Sequence, residues 1–125
     1  MELELHDSTL ATMVEEGRDV VVSFRPAYVR AEEEGAVSGY AQDVDIRFVH
    51  GCVLTRPGKM PVRVSDGALK TKSGAIFDPM MPTPHSIQEG VSFSGITAEN
   101  ERFQIEASGC VVESIGPRRF IEKIS

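Results

Sequence analysis

The sequence predicts a single all-β domain over residues 1–125, mainly antiparallel and forming a sandwich or a partly open barrel. Two observations lead to this class. Apolar and polar residues alternate along several runs, as they do in strands with one buried face. Turn residues separate the runs at intervals of roughly 8–12 residues, which indicates about eight to ten strands. A domain of 125 residues also needs neither a metal nor a disulfide to fold.

The first element is predicted as two short strands rather than one helix. Residues 2–16, ELELHDSTLATMVEE, contain no glycine or proline, so a helix is the competing interpretation. Two alternating stretches with a break at Asp7–Ser8 fit the same residues and agree with the pattern of the remaining chain. EEGRD then supplies the turn into the second element.

Two longer strands follow. DVVVSFRPAYVR places Val20, Val22 and Phe24 on one side, and Pro26 predicts an edge position or a bulge. DVDIRFVH alternates in the same way, whereas the acidic segment between them, residues 31–39, predicts a solvated loop.

Turn signals divide the second half of the chain into further strands. SDG and KSG flank a short ALKT strand, AEN and then SG bound RFQIEAS, and Gly116–Pro117 precedes a last strand, RRFIEKI. The proline-containing segment at residues 77–86 predicts an extended, partly polyproline stretch with few ladder hydrogen bonds.

Composition excludes several function classes. The formal net charge of −6 opposes binding to phosphate backbones, so no nucleic-acid partner is expected. No run approaches the roughly 18 apolar residues of a membrane helix. The N-terminus has no basic region followed by an apolar run, so it does not resemble a signal peptide, and a cytoplasmic location with free thiols is expected.

Several motifs, taken together, resemble a family of small uncharacterised bacterial all-β proteins. They are the opening LHDSTL, then VVVSFRPAYVR, GYAQDVDI, SDGAL, GAIFDPMMPTP and the closing VSFSGITAENERFQIEASGCVVE. Each motif alone is weak, and as a set they cover nearly the whole chain. The resemblance implies a bacterial, intracellular, mostly β domain. It implies no activity, so no catalytic residue is carried over.

The opening LHDSTL contains the three residue types of a hydrolytic triad, but a triad must converge from separate parts of a fold. His6, Asp7 and Ser8 are consecutive, and neighbours on a strand point to opposite faces. We therefore predict a structural motif with no catalytic residue, in which the Asp7 carboxylate accepts backbone hydrogen bonds at a bend. A ligand-binding role for His6, Asp7 and His50 is the alternative.

No metal or cofactor is expected. His50 and Cys52 would share a strand face and are good zinc ligands, but two ligands do not complete a site. Asp43 and Asp45 also share a face, and Arg47 would neutralise them. The sequence contains no phosphate loop or dinucleotide fingerprint.

Two function classes remain. The first is a non-enzymatic protein-interaction or immunity-type module, which fits the lack of catalytic motifs and the acidic surface. Its candidate contact segment contains Met80, Met81, Pro82 and Pro84, and a homodimer is one form it would take. The second is a small-ligand-binding β domain or minor enzyme that uses His6, Asp7 and His50. Convergence of these three side chains on one concave pocket would favour the second class.

Overall fold

The computed structural model describes residues 1–78 and 80–125, and this part of the chain is all-β, which confirms the predicted fold class. Twelve strands lie in these residues. Four of them, β1, β7, β8 and β9, have three residues or fewer and account for the excess over the expected eight to ten. The strands are β1 (Glu2–Glu4), β2 (Thr9–Glu16), β3 (Asp19–Glu33), β4 (Ala36–Val49), β5 (Cys52–Thr55), β6 (Val62–Thr71), β7 (Ile76–Phe77), β8 (Met80–Pro82), β9 (His85–Ile87), β10 (Val91–Thr97), β11 (Arg102–Ala107) and β12 (Gly109–Lys123).

All strand pairs are antiparallel, and the hydrogen-bonded order is β5-β11-β10-β6-β2-β3-β4-β12-β9. β1 adds to β3 and carries β8 on its other side, while β7 pairs with β6. The sheet is not closed into a barrel, and its architecture is consistent with a sandwich or an open barrel.

The core lies between the two halves of this sheet. Phe48 on β4 meets Phe93 on β10 with ring centroids 5.2 Å apart, and Phe93 meets Phe103 on β11 at 5.3 Å. These contacts join the β2–β3–β4 half to the β6–β10–β11 half. Fully buried apolar side chains around them are Leu3, Leu5, Leu10, Val22, Phe24, Val29, Val44, Ile46, Leu69, Met81, Ile105 and Val112.

A bulge in β3 keeps its apolar residues on one face along its whole length. Phe24 pairs with Val44 and Ala27 with Gln42, so Arg25 and Pro26 together stand opposite Asp43. The extra residue shifts the alternation, and the apolar positions are even-numbered before the bulge and odd-numbered after it. Pro26 has no N–H for the ladder and fits a bulge, as predicted from the sequence.

A second bulge lies on the other side of β4 at almost the same level. Ile115 pairs with Asp43 and Arg119 with Ala41, so the three residues 116–118 stand opposite Gln42. The predicted break at Gly116–Pro117 is therefore a bulge inside one long strand. Gln42 fastens it, because its Nε2 donates to the carbonyl oxygen of Gly116 at 2.8 Å.

The loop predicted at residues 31–39 and the turn predicted at SDG are both wrong. The acidic segment 31–39 is a tight hairpin in which only Glu34 and Gly35 leave the ladder, with φ of 52° and 78°. Two successive positive φ values suit the right-handed twist of a hairpin, so no longer loop is needed. The SDG turn does not form either, because Asp66 and Gly67 pair with Ile96 and Gly95 inside continuous β6.

The proline-containing segment bridges two distant strands. β8 pairs with β1, β9 pairs with β12, and Thr83 lies between them. The Thr83 amide donates to the Met1 carbonyl at 2.9 Å, and its hydroxyl lies 3.2 Å from the Ser114 hydroxyl. The segment therefore forms more ladder bonds than predicted; Pro79 lies outside the described residues.

Replacing Gly95 by alanine is expected to destabilise the protein. A Cβ there would lie 2.3 Å from the Asp66 carbonyl oxygen and 2.4 Å from the Phe103 ring, and the backbone oxygen cannot move aside cheaply. Overpacking of this kind costs about 1–3 kcal/mol in the free energy of unfolding. Gly90→Ala is the matched control, since its nearest neighbour would lie at an ordinary 3.7 Å. Urea unfolding of both variants tests this, and equal stabilities would contradict the packing described here.

Candidate functional site

Ser8 is the structural centre of the LHDSTL segment. The pairing of β1 with β3 ends where Glu4 lies opposite Tyr28. Beyond this point β1 offers no backbone acceptor to the Tyr28 amide. The fully buried Ser8 hydroxyl replaces it, accepting from the Tyr28 amide at 2.9 Å and donating to the Glu4 carbonyl at 2.6 Å. Both hydrogen-bonding functions of this hydroxyl are thus used inside the fold, so Ser8 is not placed to act as a nucleophile.

Asp7 does not have the role predicted for it. Its side chain is 58% exposed, and within the described residues its carboxylate accepts no backbone hydrogen bond. The bend requires a left-handed backbone conformation at Asp7, whose φ is 70°. Aspartate and asparagine tolerate this conformation better than most residues. Its amide donates to the Val64 carbonyl at 3.1 Å, so the bend is tied to β6 through the backbone.

A buried carboxylate lies beside this bend. The Glu4 side chain is only 5% exposed, and Arg30 binds it with two bonds of 3.1 and 3.2 Å. His6 Nε2 lies 2.6 Å from the same carboxylate, and Asp7 is 3.8 Å from that nitrogen. A two-bond arginine–carboxylate pair is a strong, directional contact. It allows Glu4 to be buried, and the histidine beside it remains partly open to solvent.

His50 lies far from His6 and Asp7. It occupies the turn after β4, where its backbone amide donates to Asp19 at the start of β3. The His6 cluster instead packs on Tyr28 and Arg30 near the other end of β3. At about 3.3 Å per residue, these two levels of β3 are roughly 30 Å apart along the strand. The structure therefore does not bring His6, Asp7 and His50 together.

Two concavities of the surface lie elsewhere. One, of about 490 Å³, is an open trough on the outer face of β6, β10 and β11, with Ser94, Ala68 and Gln104 on its floor. A shallower one of about 310 Å³ adjoins it near Lys72. Neither is lined by the three candidate residues, and within residues 1–78 and 80–125 no three His, Cys, Asp or Glu side chains are placed to hold a metal ion.

The two cysteines are free thiols with different surroundings. Cys52 is exposed on β5, and Cys110 is buried on β12. Burial raises the pKa of Cys110 to about 11, so its reactive thiolate form is disfavoured at neutral pH.

The described residues, 1–78 and 80–125, contain no helix that could span a membrane.

The predicted contact segment is only partly at the surface. Met81 is fully buried in the core, while Met80 and Pro82 are half-buried and Pro84 is exposed. A role for these residues as an interface stays a prediction. Their clear function within the fold is to bridge β1 and β12.

The largest concentration of exposed apolar side chains lies on the last strand. Within the described residues eight large apolar side chains are exposed, and four of them fall between positions 115 and 124. β9 covers only Cys110–Val112, and beyond these residues no described strand pairs with the outer side of β12. We call residues 115–124 on this side the outer edge. Its apolar members are Ile115, Phe120, Ile121 and Ile124, with Phe120 65% exposed.

A side chain from β3 contacts the outer edge across β4. The Tyr28 phenol crosses β4 above Gly39 and donates to the Glu122 carboxylate at 2.7 Å. A Cβ on residue 39 would lie 2.1 Å from the phenol oxygen, so glycine is what allows this crossing. Loss of solvent around the phenol, followed by its bond to Glu122, raises the pKa of Tyr28 to about 12.

On the other face, Arg118 and Phe120 both contact Tyr40. The Arg118 guanidinium lies 4.4 Å from the centre of the Tyr40 ring and pairs with Glu33, and the Phe120 ring meets Tyr40 edge-on at 5.9 Å. The strand also continues its pairing to the chain end, because the Ile124 amide donates to Val37 at 2.8 Å. Phe120 is therefore exposed on a strand that is paired with β4 on its inner side, with a register shift between Phe120 and Glu122.

Comparisons of the chain with protein-family models, curated proteins and solved structures return no match. The family resemblance inferred from the sequence therefore stays a prediction, and only the geometry of the described residues points to a site.

Sequence reasoning missed the outer edge, although a signal was present. Phe120 and Ile121 are adjacent and apolar, so they break the alternation expected of a half-buried strand. Such a break at a terminal strand indicates that apolar side chains are exposed, whichever face is buried.

Ser8→Ala is expected to lower the free energy of unfolding by about 1–3 kcal/mol, because the Tyr28 amide loses its buried acceptor. Asp7→Asn keeps the bend conformation and should change stability by less than about 0.5 kcal/mol. Urea denaturation of the two variants measures both effects. A larger loss in Asp7→Asn than in Ser8→Ala would contradict the roles assigned to these residues.

Above neutral pH, the Tyr28 phenol should make stability pH-dependent. A folded-state pKa of about 12, above its ordinary 10.0, means that the contribution is complete below pH 10.0 and is lost as pH rises through about 12. Ultraviolet titration of tyrosinate should show one of the two tyrosines ionising near pH 12, and Tyr28→Phe should remove that transition. Ionisation of Tyr28 near pH 10.0 would contradict both causes of the raised pKa, the loss of solvent around the phenol and its bond to Glu122.

Proposed function

We propose that the protein is a non-enzymatic protein-interaction module that accepts an extended segment of a partner protein along the outer edge. The observation behind the proposal is the grouping of Ile115, Phe120, Ile121 and Ile124 on a strand side with no described partner. An open strand edge offers unpaired N–H and C=O groups in a fixed row. Addition of a strand to such an edge is a common mode of peptide recognition.

The rigidity of the outer edge supports this proposal. Tyr28 contacts the strand on one face of the sheet, and Gln42 and Arg118 hold it and its bulge on the other. A partner would therefore meet a preformed template and would not have to order it, which lowers the entropic cost of association. Phe120 and Ile121 then supply the apolar area that would stabilise the bound segment.

The ligand-binding or enzymatic alternative has weaker support. His6 and His50 lie near opposite ends of β3, Ser8 is used in the fold, and no described concavity includes these residues. The Glu4–Arg30–His6 cluster has a sufficient structural explanation, since it compensates a buried carboxylate. An immunity-type role and a bacterial cytoplasmic setting stay predictions from the sequence.

Selection from a random peptide display library tests the proposal. Peptides enriched on the wild-type protein should lose about tenfold or more in affinity for the double variant Phe120→Ser/Ile121→Ser, because two apolar contacts are removed. Ile76→Ser is the matched control, since Ile76 is equally exposed but lies on β7. Its affinity should match the wild type. Failure to enrich any peptide, or equal binding to the double variant, would contradict an interaction site at the outer edge.

A further inference from the structure

We infer that the segment accepted by the outer edge is acidic as well as apolar and belongs to a different protein rather than to a second copy of this chain. The inference depends on the proposed function and adds the chemistry of the partner. It comes from the charges that flank the apolar residues and from what those charges are paired with.

The outer edge is locally basic in an acidic protein. Residues 115–124 contain three cations and one carboxylate, a formal charge of +2, whereas the whole chain carries −6. A cationic strand among acidic surroundings draws a negatively charged segment to this place and disfavours contact with the remaining surface.

Two of the cations are not used inside the protein. Arg118 pairs with Glu33, and the single carboxylate, Glu122, accepts from Tyr28. Arg119 and Lys123 are exposed and have no ion-pair partner among the described residues. At the acidic hairpin tip, Glu33 is already paired with Arg118, and among the described residues Glu32 and Glu34 form no ion pair with Arg119 or Lys123.

These two cations lie on opposite faces of the sheet. Arg119 pairs with Ala41 and Lys123 with Ser38, and odd and even positions of β4 face opposite ways. A segment added to the outer edge would therefore meet Arg119 on one face and Lys123 on the other, with Phe120 and Ile121 between them. Acidic residues on both sides of an apolar centre match this arrangement.

A second copy of the chain is a poor match for the same edge. Edge-to-edge pairing of two copies would bring Arg119 and Lys123 of one copy beside those of the other, and like charges across neighbouring strands are destabilising. Charged residues on open edges commonly prevent self-pairing in this way. Arg119 and Lys123 would thus oppose self-association and select an acidic partner by the same interaction.

Three fluorescent strand peptides test the inference. They share a valine and threonine framework and carry glutamates, glutamines or lysines at the same positions. By anisotropy, the glutamate peptide should bind the wild-type protein about tenfold more tightly than the lysine peptide, and added salt should reduce this difference. Arg119→Glu/Lys123→Glu should reverse the preference. Lys70→Glu/Arg102→Glu, the same charge change on the trough, should leave it unchanged.

The possible results distinguish failure of the acidic-partner inference from failure of the proposed function. Equal binding of the three peptides, with loss in Phe120→Ser/Ile121→Ser, would overturn the acidic partner and keep the edge as an interaction site. No edge-dependent binding of any peptide would overturn both. Sedimentation at micromolar concentration should show a monomer, and a dimer that Phe120→Ser/Ile121→Ser dissociates would show that the occupant is a second copy.

Discussion

The structure depends on the continuous pairing of β4 with β3 on one side and β12 on the other. Both neighbours are bulged at the level of Gln42–Asp43, where two residues of β3 and three of β12 stand opposite a single β4 residue. Bulges bend and twist a strand locally. They divide this part of the sheet into two halves. One half contributes the buried Val44, Ile46 and Phe48 to the core, and the other extends to the β3–β4 hairpin tip.

The extending half contributes Val29 to the core, and further contacts join it to its neighbours. The Ser8 hydroxyl binds the Tyr28 amide and so joins the end of β1 to β3. Thr83 connects Met1 to Ser114, and Tyr28 and Arg118 fasten the two faces of the last strand. Each support is polar or aromatic. Together they explain how a strand with a 65% exposed phenylalanine stays ordered at the rim of the sheet.

The sequence predicted the fold class and much of the strand pattern, since both depend on local alternation and turn chemistry. The Pro26 bulge and the break at Asp7–Ser8 followed from such local rules. Long-range partners were not predictable in this way. In the sequence Asp66–Gly67 has the composition of a turn, and only its pairing with Ile96 and Gly95 shows that it belongs to a strand. Likewise, the role of Ser8 follows only from its bond to the distant Tyr28 amide.

In the candidate site, too, local sequence patterns did not reveal the long-range arrangement. His6, Asp7 and His50 were grouped by residue type, and only the register of β3 reveals that they are far apart. The outer edge was hidden for the opposite reason. Its residues look like an ordinary terminal strand, and their exposure follows from the β9 strand ending its pairing at Cys110–Val112.

The central claim is that the outer edge is a rigid template with one side open, and amide hydrogen exchange by NMR tests it most directly. Amides along residues 119–125 that point to β4, including that of Ile124, should exchange slowly, and those that point outward should exchange fast. Saturation with the glutamate peptide should slow the outward set. Fast exchange of both sets in the free protein would show that the strand is frayed, and would contradict the account.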